Sequence, residues 1–138
     1  MYKVVWLTKF RSDRDPEEMR RWWLEVHGPL FLKIPGVLRY VQNHWEAVNP
    51  ASGADSPGEA PAYDGHAEAW FESEQAFNAA LATDEFQAAI ADVPSCFDTS
   101  TMVSGVLTEY IMKWDASIDG RPLRSAGKGF AGDRVASV

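Results

Sequence analysis

The chain is short of several residue types, and each shortage closes off a class of function. It has one cysteine in 138 residues, Cys96, so neither an intramolecular disulfide nor a thiolate-rich metal site can form. Cys96 itself reads as a small core residue. Its three histidines, His27, His44 and His66, are scattered, with no His-x-x-x-His pair. A metal needs about four converging ligands, so no bound metal is expected. There is no Gly-rich phosphate loop, P-loop lysine or nucleophile elbow, and no cofactor is expected. Basic residues are outnumbered: 13 Lys and Arg against 20 Asp and Glu leave a net charge of -7. Nucleic acid is an unsuitable partner for such a chain, because neutralising phosphates takes a basic face. No apolar run approaches the roughly 20 residues that cross a bilayer. The start, Met1 to Leu7, lacks the length and cleavage site of a signal peptide. No membrane partner is expected, and a cytoplasmic location follows by default.

What is present is a globular composition, 46% hydrophobic, sized for one domain with one core. Aromatics are the unusual feature, with six Trp, four Tyr and seven Phe. Some of these rings form the core, and the rest are suited to a cavity or a subunit interface.

Residues 2–10 are rich in Val, Trp, Leu and Phe and predict a strand covered on both faces. A helix then opens with Asp15 as cap, Pro16 in the first turn and Glu18 placed as in a capping box. Met19, Trp22, Trp23, Val26 and Leu30 form one apolar stripe along it, and Gly28-Pro29 is expected to break or bend it. Residues 37–45 predict a second strand, with Leu38, Tyr40, Gln42 and His44 on one face and Val37, Arg39, Val41 and Asn43 on the other. A long Pro-, Gly-, Ala- and Ser-rich loop follows over 46–63, of the kind that is functional or disordered. Residues 64–71 predict a third strand with His66, Glu68 and Trp70 on one face. Ser73 opens a helix through Ala82, which restarts near Thr83 or Asp84 and runs to Ala91. Pro94 to Asp98 reads as a turn or short helical piece, and residues 103–114 as a fourth strand. Residues 1–114 thus make one domain. Residues 115–138 are a polar, Gly-rich extension, either lying over a partner subunit or disordered.

The order β-α-β-β-α-β is the ferredoxin-like pattern of an α+β fold. Both helices cover one face of a four-stranded antiparallel sheet. The other face also carries apolar residues and needs a cover, so a twofold homodimer pairing these faces into an α+β barrel is expected.

His27 is the leading chemical candidate. It ends the first predicted helix beside the Trp22/Trp23 stripe, four residues after Trp23 and seven after Arg20. A helix end favours the protonated imidazole while burial opposes it. Two roles fit: a proton donor and acceptor near neutrality, or a side chain that bonds the helix end. Tyr40 sits mid-strand. If its face meets the first helix, its hydroxyl approaches His27, either to orient a substrate carbonyl or as a satisfied core group. His44 lies at a strand end, and His66 shares its face with Glu68 and Trp70.

The run Trp22-Trp23-Leu24-Glu25-Val26-His27-Gly28-Pro29-Leu30 is followed by Ile34-Pro35-Gly36, by Tyr40-Val41-Gln42-Asn43-His44 and by residues 63–71. Together these resemble the EthD family over roughly residues 2–114. The resemblance implies a dimeric α+β barrel and kinship with cofactor-free polyketide cyclases, methylmuconolactone isomerases and dehydratases or decarboxylases. It implies that His27 is the acid/base and that Tyr40 lines the pocket. No cysteine matches those near the site in some muconolactone relatives, which weakens the isomerase reading. A cofactor-free lyase, cyclase, dehydratase or isomerase would act on a small apolar aromatic, polyketide-like or lactone substrate. His27 and Tyr40 would be catalytic. Trp22, Trp23, Asn43, His44, His66, Trp70 and Phe71 would contact the substrate. Two other readings share the pocket: a non-catalytic binding protein for a hydrophobic metabolite, and a cofactor-independent monooxygenase.

Overall fold

The computed structural model describes residues 1–46 and 61–118, with the backbone of Pro122–Leu123 and Arg134–Val135. Most of the long loop expected over 46–63, and most of the C-terminal extension, lie outside the described residues. The chain divides into two compact units, Met1–Thr108 and Glu109–Val138. In the first, strands β1 (Tyr2–Thr8), β2 (Arg39–His44), β3 (Gly65–Phe71) and β4 (Val103–Leu107) form one antiparallel sheet in the order β2-β3-β1-β4. Helices α1 (Pro16–Trp22), α2 (Gly28–Leu32), α3 (Glu74–Leu81) and α4 (Asp84–Cys96) supply the second layer. This is the ferredoxin-like α+β architecture. In the second unit the described residues show a 3₁₀ turn, Ala116–Ile118, and a short antiparallel pair, β5 (Pro122–Leu123) with β6 (Arg134–Val135).

Local chemistry accounts for the element ends. The Glu18 amide donates to the Asp15 carboxylate at 3.3 Å, capping α1, while the Glu18 carboxylate pairs with Arg14 rather than closing a capping box. Ser73 and Thr83 cap α3 and α4 through the amides of Ala76 and Phe86. The expected break at Gly28-Pro29 does not occur. Between α1 and α2 the helix widens into a π turn, Trp23–His27, in which the Gly28 amide donates to the Trp23 carbonyl. Pro29 lacks an amide hydrogen and its ring would press on the carbonyl four residues back. The wider turn absorbs both, and the helix runs on to Leu32. His27 is therefore inside a continuous helical segment and not at its end. α4 likewise runs past the expected Ala91 to Cys96, with Pro94 inside its last turn. The fourth strand ends at Leu107 rather than Trp114. Leu107 pairs with Lys3, and β1 begins one residue earlier, so there is no partner strand beyond it.

The register sorts the two faces. Val4, Trp6, Thr8, Tyr40, Gln42, His44, Ala67, Ala69 and Phe71 face the helices. Lys3, Val5, Leu7, Arg39, Val41, Asn43, His66, Glu68 and Trp70 face the other way, and both core clusters draw on the first set alone. Small residues on the central strand β3 make room for large rings. A Cβ on Gly65 would lie 2.3 Å from the Asn43 carbonyl oxygen and 2.7 Å from the Trp23 ring. A backbone atom cannot rotate away, so Gly65→Ala should lower stability by about 1–3 kcal/mol. The urea midpoint would read this loss, and an unchanged midpoint would mean that Trp23 does not seat against β3 as described.

Candidate functional site

Between the sheet and the helices lies a cavity of about 470 Å³. Its walls include Trp6 from β1, Trp23 and His27 from the π turn, Phe31 from α2, Tyr40 from β2 and Phe97 after α4. The exposed members of its lining, Ile90, Pro94, Thr99 and Ser104, place its mouth between α4 and β4. The rings are in mutual contact: Phe31 stacks on Tyr40 with centroids 4.3 Å apart, and Phe97 meets Trp23 edge-on at 5.3 Å.

His27 is the polar group of this wall with a defined electrostatic partner. It is 7% exposed, and its Nδ1 lies 3.0 Å from Oδ2 of Asp92 on α4. The Trp22 indole Nε1–H donates to both Asp92 oxygens at 3.2 Å. An ionised carboxylate only accepts, so Nδ1 carries the hydrogen and Nε2 is the nitrogen with a free lone pair. Nε2 has no hydrogen-bond partner among the described residues. Burial lowers the His27 pKa below its ordinary value, and Asp92, pulling the other way, does not reverse this. The resting imidazole is neutral at pH 7, and Asp92 is placed to stabilise the imidazolium once a proton arrives. A neutral imidazole with a free Nε2 beside a cavity is arranged as a general base.

A second network fixes Tyr40. Gln42 donates from Nε2 to the Trp23 carbonyl at 2.9 Å and to the Tyr40 hydroxyl at 3.4 Å, and its Oε1 accepts from His44 Nε2 at 3.0 Å. Gln42 thereby ties β2 to the π turn. Because the Tyr40 oxygen accepts from Gln42, its own O–H remains to donate. Burial pushes the Tyr40 pKa up to about 12, so the phenol stays protonated.

Of the other residues singled out above, Trp23 lines the cavity, and its neighbour Trp22 acts through Asp92 instead. His44 stacks on Trp23 at 4.3 Å, outside the lining. Phe71 is fully buried in the core and does not reach the cavity. Asn43, His66 and Trp70 lie on the opposite sheet face, since the alternation of β2 and β3 turns them away. There Asn43 donates to Glu68 at 3.4 Å, His66 Nδ1 accepts from Trp45 at 2.9 Å, and Lys3 and Arg39 sit over the Trp70 ring. The structure thus does not bring these three to the cavity. Cys96 is buried with its thiol directed at the Met19 carbonyl, 3.3 Å away, and burial raises its pKa to about 12. It is a core residue. Among the described residues no three His, Cys, Asp or Glu side chains converge on a common point suited to a metal. No helix of the described residues is long and apolar enough to cross a membrane.

Asp92 is the member of this cluster that the sequence analysis does not single out. A signal was available: it lies three residues after the buried Ala89 and four before the buried Cys96, so a carboxylate falls on the inward stripe of α4.

His44 gives a prediction about pH. Burial, with Arg20 adding to it, lowers its pKa from 6.5 to about 4. The unfolded state therefore binds more protons between these values. Stability is fully present above pH 6.5 and is lost as pH falls towards 4, by up to about 3 kcal/mol. His27, whose pKa is also lowered, acts in the same direction. Urea midpoints at pH 7 and pH 4 should differ by markedly less in His44→Phe than in wild type. Equal differences would mean that His44 titrates as an exposed histidine.

The family model for the EthD domain matches residues 11–100. No curated protein matches the chain. Among solved structures it is similar to an EthD family protein from Bacillus halodurans C-125. The TM-score is 0.63 at 20% identity, covering 80% of this chain and 99% of that one. It is also similar to a protein from Thermobifida fusca YX described as a dimeric ferredoxin-like protein of unknown function, with TM-score 0.56, 18% identity, and coverage of 78% and 90%. A third neighbour is SnoaB from Streptomyces nogalater, described as a cofactor-independent oxygenase, with TM-score 0.50, 17% identity, and coverage of 80% and 98%. Likeness at these identities establishes the fold.

Proposed function

We propose that this chain, which belongs to the EthD family, is a cofactor-free enzyme of the lyase, cyclase, dehydratase or isomerase type that moves a proton on a small apolar substrate. The observation that carries the reading is the His27–Asp92 pair at 3.0 Å on the wall of an apolar cavity. A protein that merely sheltered a hydrophobic metabolite would need the cavity, but not an imidazole held by a buried carboxylate. In the proposed step, His27 Nε2 takes a proton from a carbon next to a carbonyl. The C–H electron pair becomes an enolate, and the Tyr40 O–H donates to the developing oxyanion. Asp92 holds the imidazolium until the proton is returned at another atom. The same deprotonation can open a cofactor-independent oxygenation, the activity ascribed to the Streptomyces neighbour.

The step can be tested without knowing the substrate. In D₂O, wild-type protein should catalyse deuterium exchange at the acidic carbon of aryl ketones or aryl 1,3-dicarbonyl compounds, and the exchange should depend on His27. Binding of such compounds without any His27-dependent exchange would favour the sheltering role.

The working form we propose is a homodimer built on the sheet face opposite the helices. Leu7, Val41, Val103 and Leu107 lie on this face, and neither core cluster covers it. Sedimentation at micromolar concentration should give twice the 15.4 kDa of one chain. A single species at the monomer mass would contradict it.

A further inference from the structure

We infer that the cavity selects an electrically neutral, flat aromatic ligand of about two fused rings and rejects the carboxylate of the same shape. The inference deepens the proposed function, and it rests on the cavity being the site of that reaction. The volume, about 470 Å³, lies within the range of ordinary small-molecule sites and admits a bicyclic ligand. Aromatic rings supply a large share of its walls, Trp6, Phe31, Phe77, Phe86 and Phe97 among them, and these favour a flat aromatic partner.

The charge inventory sets the rest. Among the described residues, no lysine, arginine, aspartate or glutamate lines the cavity. The titratable side chains that do line it are His27 and Tyr40, and both are uncharged at neutral pH. Behind His27 stands Asp92, whose carboxylate already uses Trp22 and His27 as its donors. A carboxylate ligand would leave water without a cation to meet it, and it would bring a second anion towards Asp92. A ketone meets no such cost. Its oxygen accepts from the Tyr40 O–H, and negative charge appears only as His27 takes the proton. The site thus has one cation, made during the reaction and already matched by Asp92.

The discriminating pair is 2-acetylnaphthalene and 2-naphthoate, which differ by a methyl group in place of a carboxylate oxygen. Binding is measured by calorimetry at pH 8, and the position of the ligand by shifts of the His27 ring resonances. The ketone should perturb those resonances, and the naphthoate should bind roughly 10–100-fold more weakly. Equal or tighter binding of the naphthoate would overturn the inference, as would failure of both probes to bind. The two readings separate cleanly. Selectivity for the ketone without His27-dependent exchange would sink the enzymatic reading alone. His27-dependent exchange with no preference between the probes would sink this inference alone.

Discussion

His27→Gln should slow deuterium exchange, or turnover of the substrate once known, by on the order of 10²–10⁴-fold, with the fold retained. Glutamine is the informative replacement because of what surrounds the position. Alanine would leave the Asp92 carboxylate, 12% exposed, with Trp22 as its one remaining donor. Taking one donor from a buried carboxylate costs about 1–3 kcal/mol, enough to confuse lost activity with unfolding. The glutamine amide can still donate to Asp92, but it has no basic nitrogen for the cavity. The loss should appear in kcat, with ligand affinity nearly unchanged, because the interaction removed belongs to the transition state. For wild type, kcat/KM should rise with pH and level off, with its midpoint below 6.5, because burial lowers the pKa of His27. Asp92→Asn should also slow the reaction, since the amide cannot balance an imidazolium. Normal turnover in His27→Gln would make the imidazole a structural group.

Trp23→Ala should destabilise the protein by about 3–5 kcal/mol and weaken ligand binding as well. The two effects share a cause. Trp23 is 1% exposed and is held by Phe10, Phe97 and His44, with Gly65 beneath it. It also forms part of the cavity wall, and its carbonyl receives both the Gly28 amide of the π turn and Gln42. Removing the ring leaves a hole that a rigid β3 cannot fill, and it loosens the turn that carries His27. Urea unfolding measures the first effect and titration with 2-acetylnaphthalene the second. A loss of binding with unchanged stability would mean that the ring is not locked in the core.

The alternation of Tyr40, Gln42 and His44, and of His66, Glu68 and Trp70, was legible in the sequence because a strand has a period of two. Which face met the helices was not. That depends on long-range pairing, and it sends Asn43, His66 and Trp70 away from the cavity while it brings Tyr40 to it. The amphipathic stripe of the first helix was legible too, but the π turn was not. Gly28-Pro29 ordinarily signals a break, and the widened turn that accommodates Pro29 is tied down by groups distant in sequence, the Gln42 amide on the Trp23 carbonyl and Gly65 beside the Trp23 ring. His27 could be singled out from its aromatic neighbours. Its partner Asp92, 65 positions away, could not be paired with it from spacing, because the contact exists only once α4 docks on the first helix.

The proposed step requires His27 to rest as a neutral base, with Nδ1–H held by Asp92 and Nε2 turned to the cavity. Long-range proton–nitrogen NMR of the histidine rings reads this directly. The His27 ring should be in the Nδ1–H form at pH 7, should titrate below 6.5, and should lose that tautomer preference or titrate lower still in Asp92→Asn. A His27 ring in the Nε2–H form, or one titrating above 6.5 whether or not Asp92 is present, would contradict it.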